Sequence, residues 1–553
     1  MRGRIYISDI QPDRGWLVTQ GDDVLVPANA SAGASPLGGG LHEELTLRAE
    51  LTRQPGNAAA ADRLAFLLEK RGERDDAIAV LDKFLQAAPK TDAVRLAFAR
   101  LLYRAVRFED ALRQIELLSP ALRTTPDVQS FVAGLLGSLG RHQPQCEIYR
   151  ALLKKYPNHG ELWVRLGVAL KYSGELGPSV EALRKAVSVQ PALGEGWWNL
   201  ANMKTFRFST DDMATMRKVL TGQLGPIDKL QIHFALGRAL EQEGAYAESF
   251  AEYAQGNGIR AAAYGGAQVH NARIADYVDR SIATFDRSLF DRAGGLGNPA
   301  PDPIFIVGMQ RGGSTLIEQI LASHSQVEGT SELEAMVQLW IGLERSAQRA
   351  KRDVWDHIRN LDAAALNDLG AEYLERAHQF RLTDRPFFVD KRPANWMYAG
   401  LIRLILPNAR IVDARRHPMA CGFSNFKQHY SAGANFAYSL EALGQYYADY
   451  IRLMRHVSAV DPGSSLLVLN EALIADIEAQ VRRILDFAGL PFEQGCVDFH
   501  LNKRAVRTAS ADQVRRKINS DGVDHWRNYA PWLEPLREAL GPALDSWAEG
   551  QTV

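Results

Sequence analysis

Cysteine is scarce in this chain: 553 residues hold three, Cys146, Cys421 and Cys496, far apart and with no CxxC or metal-ligand spacing. That argues against a disulfide framework or a zinc site, and reduced, buried thiols are the expectation. An excess of either charge is missing too. With 64 basic and 65 acidic residues the formal net charge is −1, so no global basic field points to nucleic acid or an anionic membrane, and any anion site must be local. Long apolar runs are absent: no stretch of about 18 uncharged apolar residues occurs that would cross a bilayer. The opening MRGRIYISDIQPDRG lacks the apolar core of a secretory signal. A soluble, cytoplasmic protein without a membrane span is expected.

What is there begins with length, which exceeds one core and suggests two to four domains. The first 40 residues hold a candidate hairpin, RIYISD and WLVTQGDDVLVP, followed by the linker-like ANASAGASPLGGG. Residues 41–260 turn helical with a period of 34: Gly72, Gly140 and Gly174 share one register, as do Ala77, Ala111 and Ser179, and Trp163 and Trp197. This is the signature of tetratricopeptide repeats, an all-α solenoid. The best copy runs from Gly160 to Pro191, with Trp163, Leu166, Gly167, Gly174, Leu183 and Ala186 at the expected places, and another runs from Phe234 to Tyr253. The copy holding Thr205 to Leu220 is degenerate, giving five or six repeats. Packing between helices accounts for Trp163 and Trp197. Residues 261–300 form a helical connector ending in AGGLGNPAPDP, and a further domain spans 301–553.

That domain opens on the most informative stretch, PIFIVGMQRGGSTLIEQILASH from Pro303 to His324: an apolar strand, a Gly-Gly-Ser-Thr turn and an amphipathic helix. Unpaired backbone N–H groups at such a helix start face an anion, and the helix dipole adds positive potential. The lysine of the Walker motif is missing; Arg311, Gly312, Gly313, Ser314 and Thr315 stand in its place, and a guanidinium fork suits a terminal phosphate or sulfate. Apolar runs at 304–308, 387–390, 409–414 and 465–470 alternate with helical patterns, predicting an α/β, P-loop-like domain with a central parallel sheet and ligands at the strands' carboxyl ends.

Taken with Glu332 in GTSELEAM, Lys391 in VDKRPANW, and Arg416 with Ser424 in ARRHPMACGFSNF, the turn resembles the sulfotransferase family. Within it the pattern is closest to tyrosylprotein sulfotransferases and to bacterial proteins that join tetratricopeptide repeats to such a domain. The resemblance implies transfer of a sulfuryl group from 3′-phosphoadenosine 5′-phosphosulfate to a hydroxyl, with no metal. The acceptor it implies is a tyrosine of a peptide or protein, which the repeats could present; a homodimer is compatible with it. Arg311 to Thr315 would hold the 5′-phosphosulfate, Glu332 would be the base, and Lys391 would offset charge on the leaving phosphate. Arg416 and Ser424 would take the 3′-phosphate, joined by Ser510 in a segment rich in Lys503, Arg504, Arg507, Arg515, Arg516 and Lys517.

Each role has a plainer rival. Glu332 could complement a helix start with Ser331 as its cap, Glu334 lies two residues on, and His324 could serve as base but reads as structural. Arg392 and Arg415 neighbour the favoured Lys391 and Arg416, and the basic segment could be a solvated helix face. Where the family often has an aromatic residue against the nucleotide, this chain has Asn470; Trp526, Arg527 and Tyr529 fit the group's closing motif but could equally be core. Other readings are a carbohydrate or small-molecule acceptor, a P-loop kinase or NTPase, and a non-enzymatic repeat scaffold.

Overall fold

The computed structural model describes residues 37–203, 206–263, 267–430, 434–502, 504, 513–520 and 522–549. The candidate N-terminal hairpin lies outside them; the first described helix, Leu37–Arg53, takes in the last four residues of the stretch that reads as linker. By contact the chain forms two compact units, which divide between Leu200 and Ala201.

The first unit is a run of paired helices. Each pair turns on a left-handed residue at an interval of 34 positions: Gly72 (φ 79°), Val106 (φ 63°), Gly140 (φ 74°) and Gly174 (φ 89°). Three are glycine because an L side chain crowds the following carbonyl there; Val106 occupies the same conformation without that freedom. Close approach of paired helices explains Gly167, whose added Cβ would lie 2.7 Å from Leu183 Cγ. Trp163 and Trp197 hold their places in the repeat by donating from Nε1 to the carbonyls of Pro157 (2.8 Å) and Pro191 (2.9 Å).

The second unit begins with more of the same pattern. Helix Thr210–Leu220 opens on a capping box between Ser209 and Asp212. The helices Pro226–Gln242 and Tyr246–Ala263 then form a repeat hairpin: Ser249 Oγ donates to the Gly237 carbonyl at 2.7 Å, as Ser179 Oγ does to Gly167 at 2.7 Å. This hairpin packs on the domain that follows. Asn257 Nδ2 donates to the Phe426 carbonyl (2.8 Å), and the Phe250 ring stacks on Phe426 and on Trp532 at centroid distances of 5.5 and 5.8 Å.

The sheet has five parallel strands in the order β2-β3-β1-β4-β5: β1 Pro303–Gly308, β2 Val327–Gly329, β3 Phe387–Asp390, β4 Arg410–Arg415 and β5 Ser465–Leu469. All six β1 residues are buried, as expected of a strand paired on both sides and covered by helices. Four strands fall where the apolar runs predict them; β2, three residues at the sheet edge, carries too short a pattern to stand out. Ile304, Ile306, Ile317, Val389, Val412 and Val468 share one core, which fixes the carboxyl ends of β1, β3 and β4 side by side.

Candidate functional site

The turn after β1 is tightly determined. Gly308, at φ 141°, runs so close to β4 that an added Cβ would lie 2.4 Å from the Ala414 carbonyl oxygen. A Cβ on Gly312 would meet the same oxygen at 2.9 Å, and one on Gly313 (φ 101°) would meet Asn470 Oδ1 at 2.9 Å. Only glycine fits these places. Arg311 itself is left-handed, at φ 66°. Gly313 caps the helix Ser314–Leu321 without a side-chain bond, and the Gly312 amide donates to the Met309 carbonyl at 3.0 Å, which closes the turn and sets Ser314 and Thr315 at the helix start, the positive end of its dipole.

At the carboxyl end of β3, Lys391 forms an ion pair with Glu332, which lies in the loop between β2 and the helix Ala335–Arg349. The lysine side chain is 1% exposed and has a second carboxylate, that of Glu318, 4.0 Å away. Glu318 also accepts from the Ser331 amide (3.2 Å) and from Arg504 Nη2 (2.5 Å). It thereby ties the loop helix, the Glu332 loop and the basic C-terminal segment together. The neighbours are otherwise engaged: Arg392 pairs with Glu334 at 2.6 Å, and Glu334, not Ser331, is the N-cap of the helix that follows. His324 is fully buried, its Nε2 2.9 Å from the Pro491 carbonyl and its Nδ1 accepting from the Gln326 amide at 3.1 Å.

Beyond β4 the two arginines part company. Arg415 turns inward, paired with Asp413 at 2.6 Å and donating to the Trp547 carbonyl at 2.7 Å. Arg416 donates to the Gly522 carbonyl, while its buried Nε finds no acceptor among the described residues. Arg311 Nε donates to Ser424 Oγ at 3.2 Å. These residues open on a cavity of about 440 Å³ whose described lining includes six cationic side chains, Arg238, Arg311, Arg416, Lys427, Arg516 and Lys517, and one carboxylate, Glu241. Its described lining is thus mainly cationic in a chain whose formal net charge is −1. Ser314, Thr315, Asn470 and Trp526 line it as well, the last stacked on His417 with ring centroids 5.4 Å apart.

Thus the structure gathers Arg311, Gly313, Ser314, Thr315, Arg416 and Ser424 around one cavity, with Gly312 in the same turn, and sets Glu332 and Lys391 at the neighbouring strand end. Ser510, Lys503 and Arg507 lie outside the described residues. Tyr529 is fully buried. Sequence reading missed Glu318, Lys427, Arg238 and Glu241. Two of these had a signal: Lys427 follows Ser424 by three positions, one helical turn, and Glu318 interrupts the apolar face of STLIEQIL four positions after Ser314. Arg238 and Glu241 look like an ordinary surface pair on a repeat helix.

Residues 303–494 match the model of the sulfotransferase family, and residues 70–135 and 160–193 match tetratricopeptide repeats. The chain therefore joins tetratricopeptide repeats to a sulfotransferase-family domain. Among its relatives, an uncharacterized protein of Aquifex aeolicus (strain VF5) is 28% identical over 407 residues, 71% of this chain. The match spans 52% of that protein's length. Protein-tyrosine sulfotransferase A of Caenorhabditis elegans is 21% identical over 269 residues, 47% of this chain and 70% of that one. Among solved structures, the sulfotransferase domain of the Synechococcus PCC 7002 olefin synthase is 19% identical with a TM-score of 0.31, covering 42% of this chain and 88% of that domain.

Proposed function

We propose that the protein transfers a sulfuryl group from 3′-phosphoadenosine 5′-phosphosulfate to a hydroxyl, and that the hydroxyl is a tyrosine of a peptide or protein. The observation that carries the donor reading is the 3.2 Å bond from Arg311 Nε to Ser424 Oγ. It brings the turn suited to a 5′-phosphosulfate and the helix suited to a 3′-phosphate into one cationic cavity. The acceptor reading rests on the distant similarity to protein-tyrosine sulfotransferases.

In this reading the acceptor oxygen attacks sulfur in line, the bond from sulfur to the 5′-phosphate oxygen breaks, and adenosine 3′,5′-bisphosphate leaves. Glu332 takes the acceptor proton, and Lys391 offsets the charge that builds on the leaving oxygen. The ion pair between them keeps the two groups within reach of each other before the substrates arrive. Donor binding gives the ammonium a further anion besides Glu332 and Glu318 and releases the Glu332 carboxylate for the proton. Calorimetric titration tests the donor half: adenosine 3′,5′-bisphosphate should bind tightly and adenosine 5′-monophosphate weakly. Equal affinity would end the reading. Radiolabelled transfer to a tyrosine peptide, set beside a glycan panel, tests the acceptor half; label on the glycans alone would replace tyrosine with a carbohydrate.

A further inference from the structure

The wall of the cavity is built from two sources. One is the sulfotransferase-family domain; the other is helix Pro226–Gln242 of the repeat hairpin, which supplies Arg238 and Glu241. The Glu241 side chain is 2% exposed and is the hub of a charged cluster. Arg238 pairs with one of its oxygens, and Lys427 Nζ reaches both at 2.9 and 3.1 Å. The Tyr253 and Tyr529 hydroxyls each donate at 3.3 Å, and His525 Nε2 approaches to 3.4 Å. Burial works against an ionised Glu241, but Lys427, His525 and Arg238 outweigh it and hold its carboxyl well below the usual range. One carboxylate from the repeat thus draws two cations together at the cavity wall.

Their place along the wall is informative. Lys427 follows Ser424 by one helical turn, and Ser424 is bonded to Arg311. A 3′-phosphate carries about two negative charges near neutrality, so Arg416 alone would leave roughly one uncompensated. The hairpin is also rigidly held, by the Asn257 bond to Phe426, the stacked Phe250 and Phe426 rings, and the Ser249 hydroxyl 3.0 Å from that of Tyr529. Arg238 therefore stands at a fixed position rather than on a loose surface.

We propose that the last repeat completes the donor site: Arg238 and Lys427 form a second cationic step beyond Ser424 that takes the 3′-phosphate end of the nucleotide, and Glu241 is the carboxylate that positions both. The proposal rests on the donor reading above. The test is calorimetric titration of the full chain with adenosine 3′,5′-bisphosphate and with adenosine 5′-monophosphate, for the wild type, Arg238→Ala, Arg238→Lys, Glu241→Gln and Arg416→Ala. Arg238→Ala should weaken the bisphosphate about tenfold and leave the monophosphate nearly unchanged, with partial recovery in Arg238→Lys. Glu241→Gln should shift the same preference less. Because Glu241 is buried and its variant could fail to fold, the partly exposed Arg238 carries the decision. If Arg238→Ala leaves both affinities unchanged, or lowers both in step with its melting temperature, the proposal is overturned while loss of the preference in Arg416→Ala keeps the donor reading standing. If the wild type itself does not prefer the bisphosphate, both fall.

Discussion

At the scale of residues, the site sets ionisable groups in environments that assign them different work. Glu332 faces Lys391 at the end of β3, and an amide in its place keeps a hydrogen-bond acceptor for the lysine while removing the group proposed as base. Glu332→Gln should lower single-turnover transfer by ~10²–10⁴-fold with donor affinity nearly intact; turnover at the wild-type rate would take Glu332 out of the reaction. Asp390, just before Lys391, is fully buried, and burial pushes its carboxyl up from 3.8 to about 7 against the hydrogen bonds from Tyr373, Leu333 and Asn395. Asn395 Oδ1 is buried without a partner among the described residues, and turning that amide over would let a protonated Asp390 donate to it. A raised carboxyl pKa means that the folded chain binds more protons than the unfolded one between about pH 4 and pH 7. Its contribution to stability is therefore full below about pH 4 and is lost as pH rises through about 7. Asp390→Asn should flatten that decline, which urea midpoints across the window will read; parallel curves for the two proteins would place the titration elsewhere.

At the scale of elements, legibility followed periodicity. The 34-residue register and the four longer strands could be read because each repeats a pattern over enough residues to stand clear of chance, whereas β2 has three residues and no pattern. The turn after β1 was legible for a different reason: three glycines in it are required by close approach to the Ala414 carbonyl and the Asn470 side chain and by a positive φ at Gly308 and Gly313, so geometry is written directly in residue type. Glu241 was not legible, since its partner Lys427 is far away in sequence and only the fold joins them; Glu318 left a signal as a carboxylate on an apolar helix face, but its approach to the distant Lys391 did not. The same register exposes one local conflict. Val106 takes φ 63° where the other turns use glycine, a conformation that costs a β-branched residue about 1–2 kcal/mol. Val106→Gly should therefore raise the stability of the repeat unit by about 1 kcal/mol, less the greater backbone entropy of glycine in the unfolded chain. Thermal melts of the two proteins check it; a lower melting temperature would show that packing by the valine outweighs its strain.

At the scale of the whole molecule, the unit that holds the site is larger than the segment matching the family. The match ends at residue 494, yet Arg516, Lys517 and Trp526 line the cavity, and it begins at 303, after the hairpin that covers Phe426 and Tyr529. A chain begun at Pro303 should expose those aromatic faces and self-associate on size exclusion, whereas one begun at Ala201 should run as a compact species and melt cooperatively. Identical behaviour of the two would mean that the hairpin is dispensable for folding.

The pair between Glu241 and Lys427 bears on how such a chain can be inherited. Repeat arrays lengthen and shorten by recombination between similar copies. The last hairpin is held back from that, because its carboxylate belongs to a charge balance completed by the sulfotransferase-family domain. In descent it would travel with the sulfotransferase portion, and the break between exchangeable and fixed sequence would fall inside the repeat array, not at its end.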